Sequence, residues 1–301
     1  MLKKIALFIF FGNYFYGICA VALSFEASIQ QGFPLNTFWY YILLFCATTL
    51  YYIEAYIDVI TPDKNNKRSV WYLNNKQLMI RSQLILVLIM IVSAFFVCKD
   101  VWQDIFKMPA IQWALILVFP VVAILYYGIE FLQFKKHNLR SNGWMKPFVI
   151  GFVWGGAVTI YPILFHSIEY NEPFAITLFG TLLFIKNFMY ITVLCIMFDI
   201  KDYAADYNQQ LKTFVVRVGL RNTIFYIMIP LCIVGLGTFL IYTISHHFPL
   251  MRIIINAIPF ILLITVAWSM HQRKSILYYL AIIDGLMLVK ALCGIVSFTL
   301  F

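Results

Sequence analysis

Three aspartates, Asp199, Asp202 and Asp206, are spaced by three and then four residues, which sets them along one face if the helix entering this stretch continues. Three like charges in a row repel. Such a cluster is either a solvated cap on an apolar helix or a site that holds something positive. Lys201, Lys212 and Arg217 accompany it, and an earlier stretch repeats the combination: Glu54 and Asp58 four apart, then Asp63, Asn66 and Arg68. Acids facing one another across a cavity would bind Mg²⁺ bridged to a phosphorylated ligand, because Mg²⁺ favours few carboxylates plus phosphate oxygens. Arg68, Lys201, Lys212 and Arg217 would then clamp the phosphate oxygens. The plainer account makes Glu54 and Asp58 end-of-helix acids that snorkel to water, and makes each base an orientation signal.

The elements that position these residues are apolar helices. Hydrophobic residues are 63% of the 301 and charged residues 12%, which marks an all-helical integral-membrane chain with no soluble domain left over. Nine stretches, about 5–25, 37–60, 78–97, 111–132, 147–165, 174–198, 224–244, 253–270 and 276–300, are long and apolar enough to read as membrane spans. The start, MLKK followed by an apolar run, imitates a secretory signal. The run from Ile5 to Phe25 is long for that role and similar spans follow, so it reads as the first membrane helix.

Of the 22 Lys and Arg, all but Lys99, Lys107, Arg252 and the intramembrane Lys186 and Lys290 fall on one side of this plan. By the positive-inside rule that side, with the N-terminus and the loops after the second, fourth, sixth and eighth spans, is cytoplasmic. The formal net charge of +9 is accounted for by these short loops, so a nucleic-acid partner is not expected. The six cysteines are scattered singly with no C-x-x-C pair and read as small core residues.

Other polar residues sit inside apolar spans. Lys186 and Asn187 lie mid-span, either in a site or in interhelical hydrogen bonds. Asp284 and Lys290 are six apart, a poor spacing for pairing with each other, so each is expected to find a partner elsewhere. Gly151 and Gly155, four apart in GFVWGG, read as close helix packing, since no strand precedes them as a phosphate loop would need. The adjacent His246 and His247 read as solvated.

The stretch FDIKDYAADYNQQLKTFVVRVG, Phe198 to Gly219, resembles the second aspartate-rich motif of the UbiA-type superfamily of intramembrane prenyltransferases, D-x-x-D-x-x-x-D with a following Lys-Thr pair and a basic residue before Gly. Asp199, Asp202, Asp206, Lys212, Thr213, Arg217 and Gly219 match in type and order, and the nine-span plan with long loops after spans two and six is similar over the whole chain. The first motif of that family, N-D-x-x-D-x-x-x-D with a downstream Asn-x-Arg, is only partly matched. Here YYIEAYIDVITPDKNNKRSVW offers Glu54, Asp58 and Asp63 in another register, then Asn66 and Arg68.

The resemblance implies one integral-membrane domain, residues 1–301, in a bacterial inner membrane. It implies transfer of an isoprenoid chain from a prenyl diphosphate to an aromatic or lipid acceptor, such as a quinone precursor. Mg²⁺ would be held by Asp202, Asp206, Glu54 and Asp58, with Asp199, Asp202, Asp206 and Lys212 as the catalytic group and Arg68, Lys201, Arg217 and Asn66 on the diphosphate. Mg²⁺ would neutralise the leaving group, and aromatic residues would shelter the allylic cation. The alternative implied by the altered first motif is a relative that has lost catalysis and binds an isoprenoid or quinone lipid or an assembly partner. The orientation is directly testable. In a cysteine-free background, an impermeant thiol reagent added to intact cells should label a cysteine placed at Lys107 and not one placed at Lys64; the reverse pattern inverts the topology.

Overall fold

In hydrocarbon no water satisfies the backbone, so long apolar stretches must close their hydrogen bonds within themselves as helices. The computed structural model describes residues 2–57, 67–99, 101–105, 108–127, 144–170, 172–208, 213–272 and 275–301, and among these every regular element is helical. The principal helices are α1 Leu2–Phe11, α2 Tyr14–Gln30, α3 Phe38–Ile57, α4 Lys67–Asn74, α5 Lys76–Cys98, α6 Ala110–Tyr127, α7 Lys146–Glu169, α8 Leu178–Asn208, α9 Leu220–Ser245, α10 Leu250–Ser269 and α11 Tyr279–Leu300.

Among the described residues six of these are long and apolar enough to cross a membrane, or seven if the bent pair α1 and α2 crosses as one. The expected nine is not reached. The stretches assigned to the second and fourth spans are α3 and α6, whose described residues stop at Ile57 and Tyr127, and α6 is one of the shorter apolar helices. The chain is an integral multi-pass membrane protein. Its helices form a bundle in which α2 packs on α3, α11 and the middle of α7, while α8 packs on α7 and α9. Helix α10 lies between α9 and α11, and α5 and α6 flank the outside on α3 and α7.

Two local features position the interior. The chain breaks between α1 and α2 at Asn13, which is left-handed at φ 67°, and the two helices diverge by 66°. Asparagine tolerates this conformation better than most side chains, and its amide Nδ2 donates to the Tyr52 carbonyl at 3.0 Å and to the Tyr72 hydroxyl at 2.8 Å. The second feature is Gly151, where an added Cβ would lie 2.9 Å from the Phe188 carbonyl. Helices α7 and α8 therefore meet backbone to backbone, as the glycine spacing predicts, and Asn187 reinforces the contact by donating to Thr159 Oγ1 at 2.7 Å.

At the end of the bundle away from most of the basic residues lies a buried ionic cluster. Lys290 Nζ is 2.6 Å from Glu26 Oε2, and Lys186 Nζ is 3.2 Å from Gln30 Oε1 and 3.9 Å from Glu26 Oε1. Gln30 continues to Asn256 at 3.3 Å, and Asn256 to Ser297 at 2.5 Å. Lys290 thus pairs with Glu26 on α2 and not with Asp284. The six cysteines are free, and His246 and His247 are exposed. Removing one partner of a buried pair strands the other charge, which costs about 3–5 kcal/mol. Glu26→Ala should therefore lower the thermal stability of the detergent-solubilised protein sharply, and Glu26→Gln with Lys290→Met should recover much of the loss. Wild-type stability in Glu26→Ala would show that the pair contributes nothing.

Candidate functional site

Near the basic end of the bundle, single faces of six helices enclose a cavity of about 200 Å³. Each face follows helical spacing. Helix α7 presents Lys146, Ile150 and Trp154, helix α3 presents Tyr52 and Tyr56, and helix α8 presents Ile191, Leu194, Cys195, Phe198 and Lys201. Helix α11 and the turn before it supply Ile276, Leu280, Asp284 and Met287, α2 supplies Tyr16 and α4 supplies Arg68. The start of α11 is a wide turn, closed by the Asp284 amide donating to the Tyr279 carbonyl five residues back at 3.1 Å. Such turns are frequent at functional sites, and this one sets Asp284 on the cavity wall.

Arg68 is the anchor of the cavity wall. Its side chain is 4% exposed; Nε donates to the Phe11 carbonyl at 3.2 Å and Nη1 to the Tyr56 hydroxyl at 3.3 Å, while Nη2 donates to Asn13 Oδ1. The guanidinium also lies over the Tyr56 ring, 4.2 Å from its centre. Tyr56 stacks on Tyr72, and Tyr16 on Tyr52 with ring centres 4.3 Å apart. Burial pushes the Tyr72 hydroxyl above its ordinary value, which keeps it neutral as the acceptor of the Asn13 amide.

The sequence-nominated residues separate. Arg68 and Lys201 line the cavity. Asp199 is buried and paired with Lys146 at 2.7 Å, which joins α8 to α7 beside the cavity. Glu54 does not line it. Midway between Tyr52 and Tyr56 it falls on the opposite side of α3, where it is exposed and accepts from Gln83 Nε2 of α5 at 2.7 Å. That removes it from the facing-acid arrangement expected of it. Arg217 is exposed in the one-turn helix Phe214–Val218, outside the cavity lining. The following Gly219 has φ 87°, a backbone conformation that favours glycine. Asp202 and Asp206 are described as helical backbone of α8, their side chains lying outside the described residues together with Asp58, Asn66 and Lys212. Among the described residues no group of three or more His, Cys, Asp or Glu could hold a metal.

Asn13, Tyr16, Lys146 and the placement of Asp284 went unnoticed in the sequence. The pair Tyr52 and Tyr56 was a visible signal, because aromatic residues four positions apart share one helix face.

A second pocket, about 280 Å³ and mainly apolar, lies between α3, α6 and α7. It shares Tyr52, Ile150 and Trp154 with the first, and Trp154 Nε1 donates to the Tyr52 hydroxyl at 2.8 Å across that common wall. A charged cavity and an apolar pocket thus stand side by side.

No family model matches the chain, and no curated protein matches it. A solved structure described as a digeranylgeranylglyceryl phosphate synthase in membranes does match, with a TM-score of 0.56 at 14% identity over 98% of this chain and 99% of that one. Near-complete coverage of both chains at so low an identity is a likeness of architecture, and the chain accordingly has the fold of a UbiA-type intramembrane prenyltransferase.

Proposed function

We propose that the chain transfers an isoprenoid group from a prenyl diphosphate to an acceptor within the membrane. The observation that carries this reading is the basic cavity with Arg68 and Lys201 sharing a wall with an apolar pocket. A prenyl diphosphate has the same two parts, a strongly anionic head and a hydrocarbon tail, and its reacting carbon lies where they join. The Tyr52 and Trp154 rings stand at the corresponding junction, where aromatic faces stabilise a developing carbocation. The similar solved structure is that of a synthase of digeranylgeranylglyceryl phosphate, an isoprenoid lipid, which supports the same class of transfer with a lipid or aromatic acceptor.

Helix α8 runs unbroken through Asp202 and Asp206 to Asn208, so these residues continue, four positions at a time, the row that passes through Phe198. Two carboxylates at this spacing fit Mg²⁺ that takes its other ligands from phosphate oxygens. Asp199, engaged by Lys146, serves to join α7 to α8. Mg²⁺ would supply neutralisation of the departing diphosphate, while Lys201 and Arg68 bind its oxygens from the cavity wall. In this reading the basic end is cytoplasmic, the membrane is a bacterial inner membrane, and residues 1–301 act as one domain.

The position of Glu54 outside the cavity favours a second reading, a relative that binds prenyl lipids without transferring them. The two readings separate on one preparation. Purified protein with Mg²⁺, polyprenyl diphosphates of graded length and aromatic and glycerophosphate acceptors should form a prenylated product detectable by mass spectrometry, and Asp206→Asn should abolish it. Tight diphosphate binding with no product from any acceptor would favour the second reading, and neither binding nor product would defeat both.

Lys201→Ala should weaken prenyl diphosphate binding by about ten- to a hundredfold, the range for a lost hydrogen bond to a charged group. Arg217→Ala should leave that affinity within about twofold, as expected of an exposed charge outside the cavity.

A further inference from the structure

We propose that Asp284 is the base that removes the acceptor's proton; this rests on the prenyl-transfer reading above. A carboxylate that holds no metal is a misfit in a pocket meant only for a diphosphate, because like charges repel. Asp284 is nevertheless 3% exposed and lines the cavity directly. Among the described residues, the acid Asp199 near the wall is held by Lys146, and Lys290 on the helix of Asp284 is committed to Glu26. Asp284 therefore has a duty that the diphosphate does not explain.

The reaction has one such duty to fill. The bond between the prenyl carbon and the diphosphate oxygen breaks, and its electron pair leaves with the diphosphate. A lone pair of an acceptor hydroxyl, or a π pair of an electron-rich ring, forms the new bond to that carbon. The acceptor then carries one proton too many, on its oxygen or on the attacked ring carbon, and this proton passes to the Asp284 carboxylate. No oxidant or further reactant is needed. Tyr16 of α2 lies beside the Asp284 carboxylate, and the other titratable groups that line the cavity with it are Tyr52 and Tyr56 of α3, Arg68 of α4, Lys146 of α7, and Cys195 and Lys201 of α8. Arg68 and Lys201 share the cavity wall with Asp284, and the aromatic side chains of that wall limit the access of bulk water to the proton.

The placement of Asp284 in the fold suits the task. It sits directly after the wide turn Tyr279–Ile283, and Ile276, Leu280, Asp284 and Met287 share the cavity face. Leu280 and Met287 stand one turn before and one turn after Asp284 on that face, and Tyr52 and Trp154, shared with the apolar pocket, line the same cavity.

The test compares wild type, Asp284→Asn and Asp284→Glu in two measurements. One is binding of a non-reactive prenyl thiodiphosphate; the other is the pH profile of kcat for transfer. Wild-type rate should fall on the acidic side as the carboxylate takes up a proton. Asp284→Asn should bind the analogue as the wild type does, lose about 10²- to 10⁴-fold in kcat, the usual contribution of a general base, and lose the acidic limb. Asp284→Glu should restore part of the rate and the limb. Transfer by Asp284→Asn within a few-fold of wild type, or an unchanged pH profile, overturns the proposal while leaving prenyl transfer standing. Loss of analogue binding in Asp284→Asn also overturns it, since the side chain would then serve the diphosphate or the fold. Absence of transfer by the wild type itself defeats the prenyl-transfer reading and the proposal with it.

Discussion

A guanidinium buried in a membrane bundle must be met by fixed acceptors, because no solvent is there to meet it. Arg68 is met by the carbonyl that ends α1, by Asn13 at the break before α2 and by the Tyr56 hydroxyl of α3. These acceptors can converge only because Asn13 is left-handed and α1 turns away from α2. Asn13 in turn ties down the Tyr52 carbonyl and the Tyr72 hydroxyl. One buried cation thereby fixes four helices against one another, and the cavity wall inherits its shape from that arrangement.

A second constraint comes from the other side of the bundle. Gly151 brings α7 against the backbone of α8, and Asp199 and Lys146 close the same contact at the basic end. With both helices locked, Lys146, Ile150 and Trp154 on one and Phe198 and Lys201 on the other must all face inward. The site is therefore built on the rigid parts of helices, which suits a reaction in which a charged head and an apolar tail are held on either side of one carbon.

Much of this was legible in the sequence, for particular reasons. Long apolar runs announced the helices, and the spacing of Gly151 and Gly155 announced close packing. Of the charged residues singled out by type and spacing, Arg68 and Lys201 line the charged cavity. What remained hidden depends on partners far away in the chain: Asp199 waits 53 residues for Lys146, and Glu26 waits 264 residues for Lys290. Spacing also shows that two residues share a face without showing which way the face turns. Glu54 was misplaced for that reason, since Tyr52 and Tyr56 took the inward side of α3 and left the acid between them pointing at α5. Asn13 carried no signal at all, being one polar residue in an apolar run until the break in the helix gave it a purpose.

The wide turn Tyr279–Ile283 makes α11 a helix with two phases. An α-helix advances about 100° per residue, so one residue added within a turn rotates all that follows relative to all that precedes. Beyond the turn, Lys290 must meet Glu26; before it, Ile276 must meet the cavity. The extra residue is the phase shift that lets one span satisfy both. A chain shorter by a single residue here would still cross the bilayer with the same composition and the same apolar length, yet its two halves could no longer both be in register. In this span chemistry is encoded by length, and a deletion that hydropathy cannot detect would take either Ile276 from the cavity or Asp284 and Lys290 together from theirs.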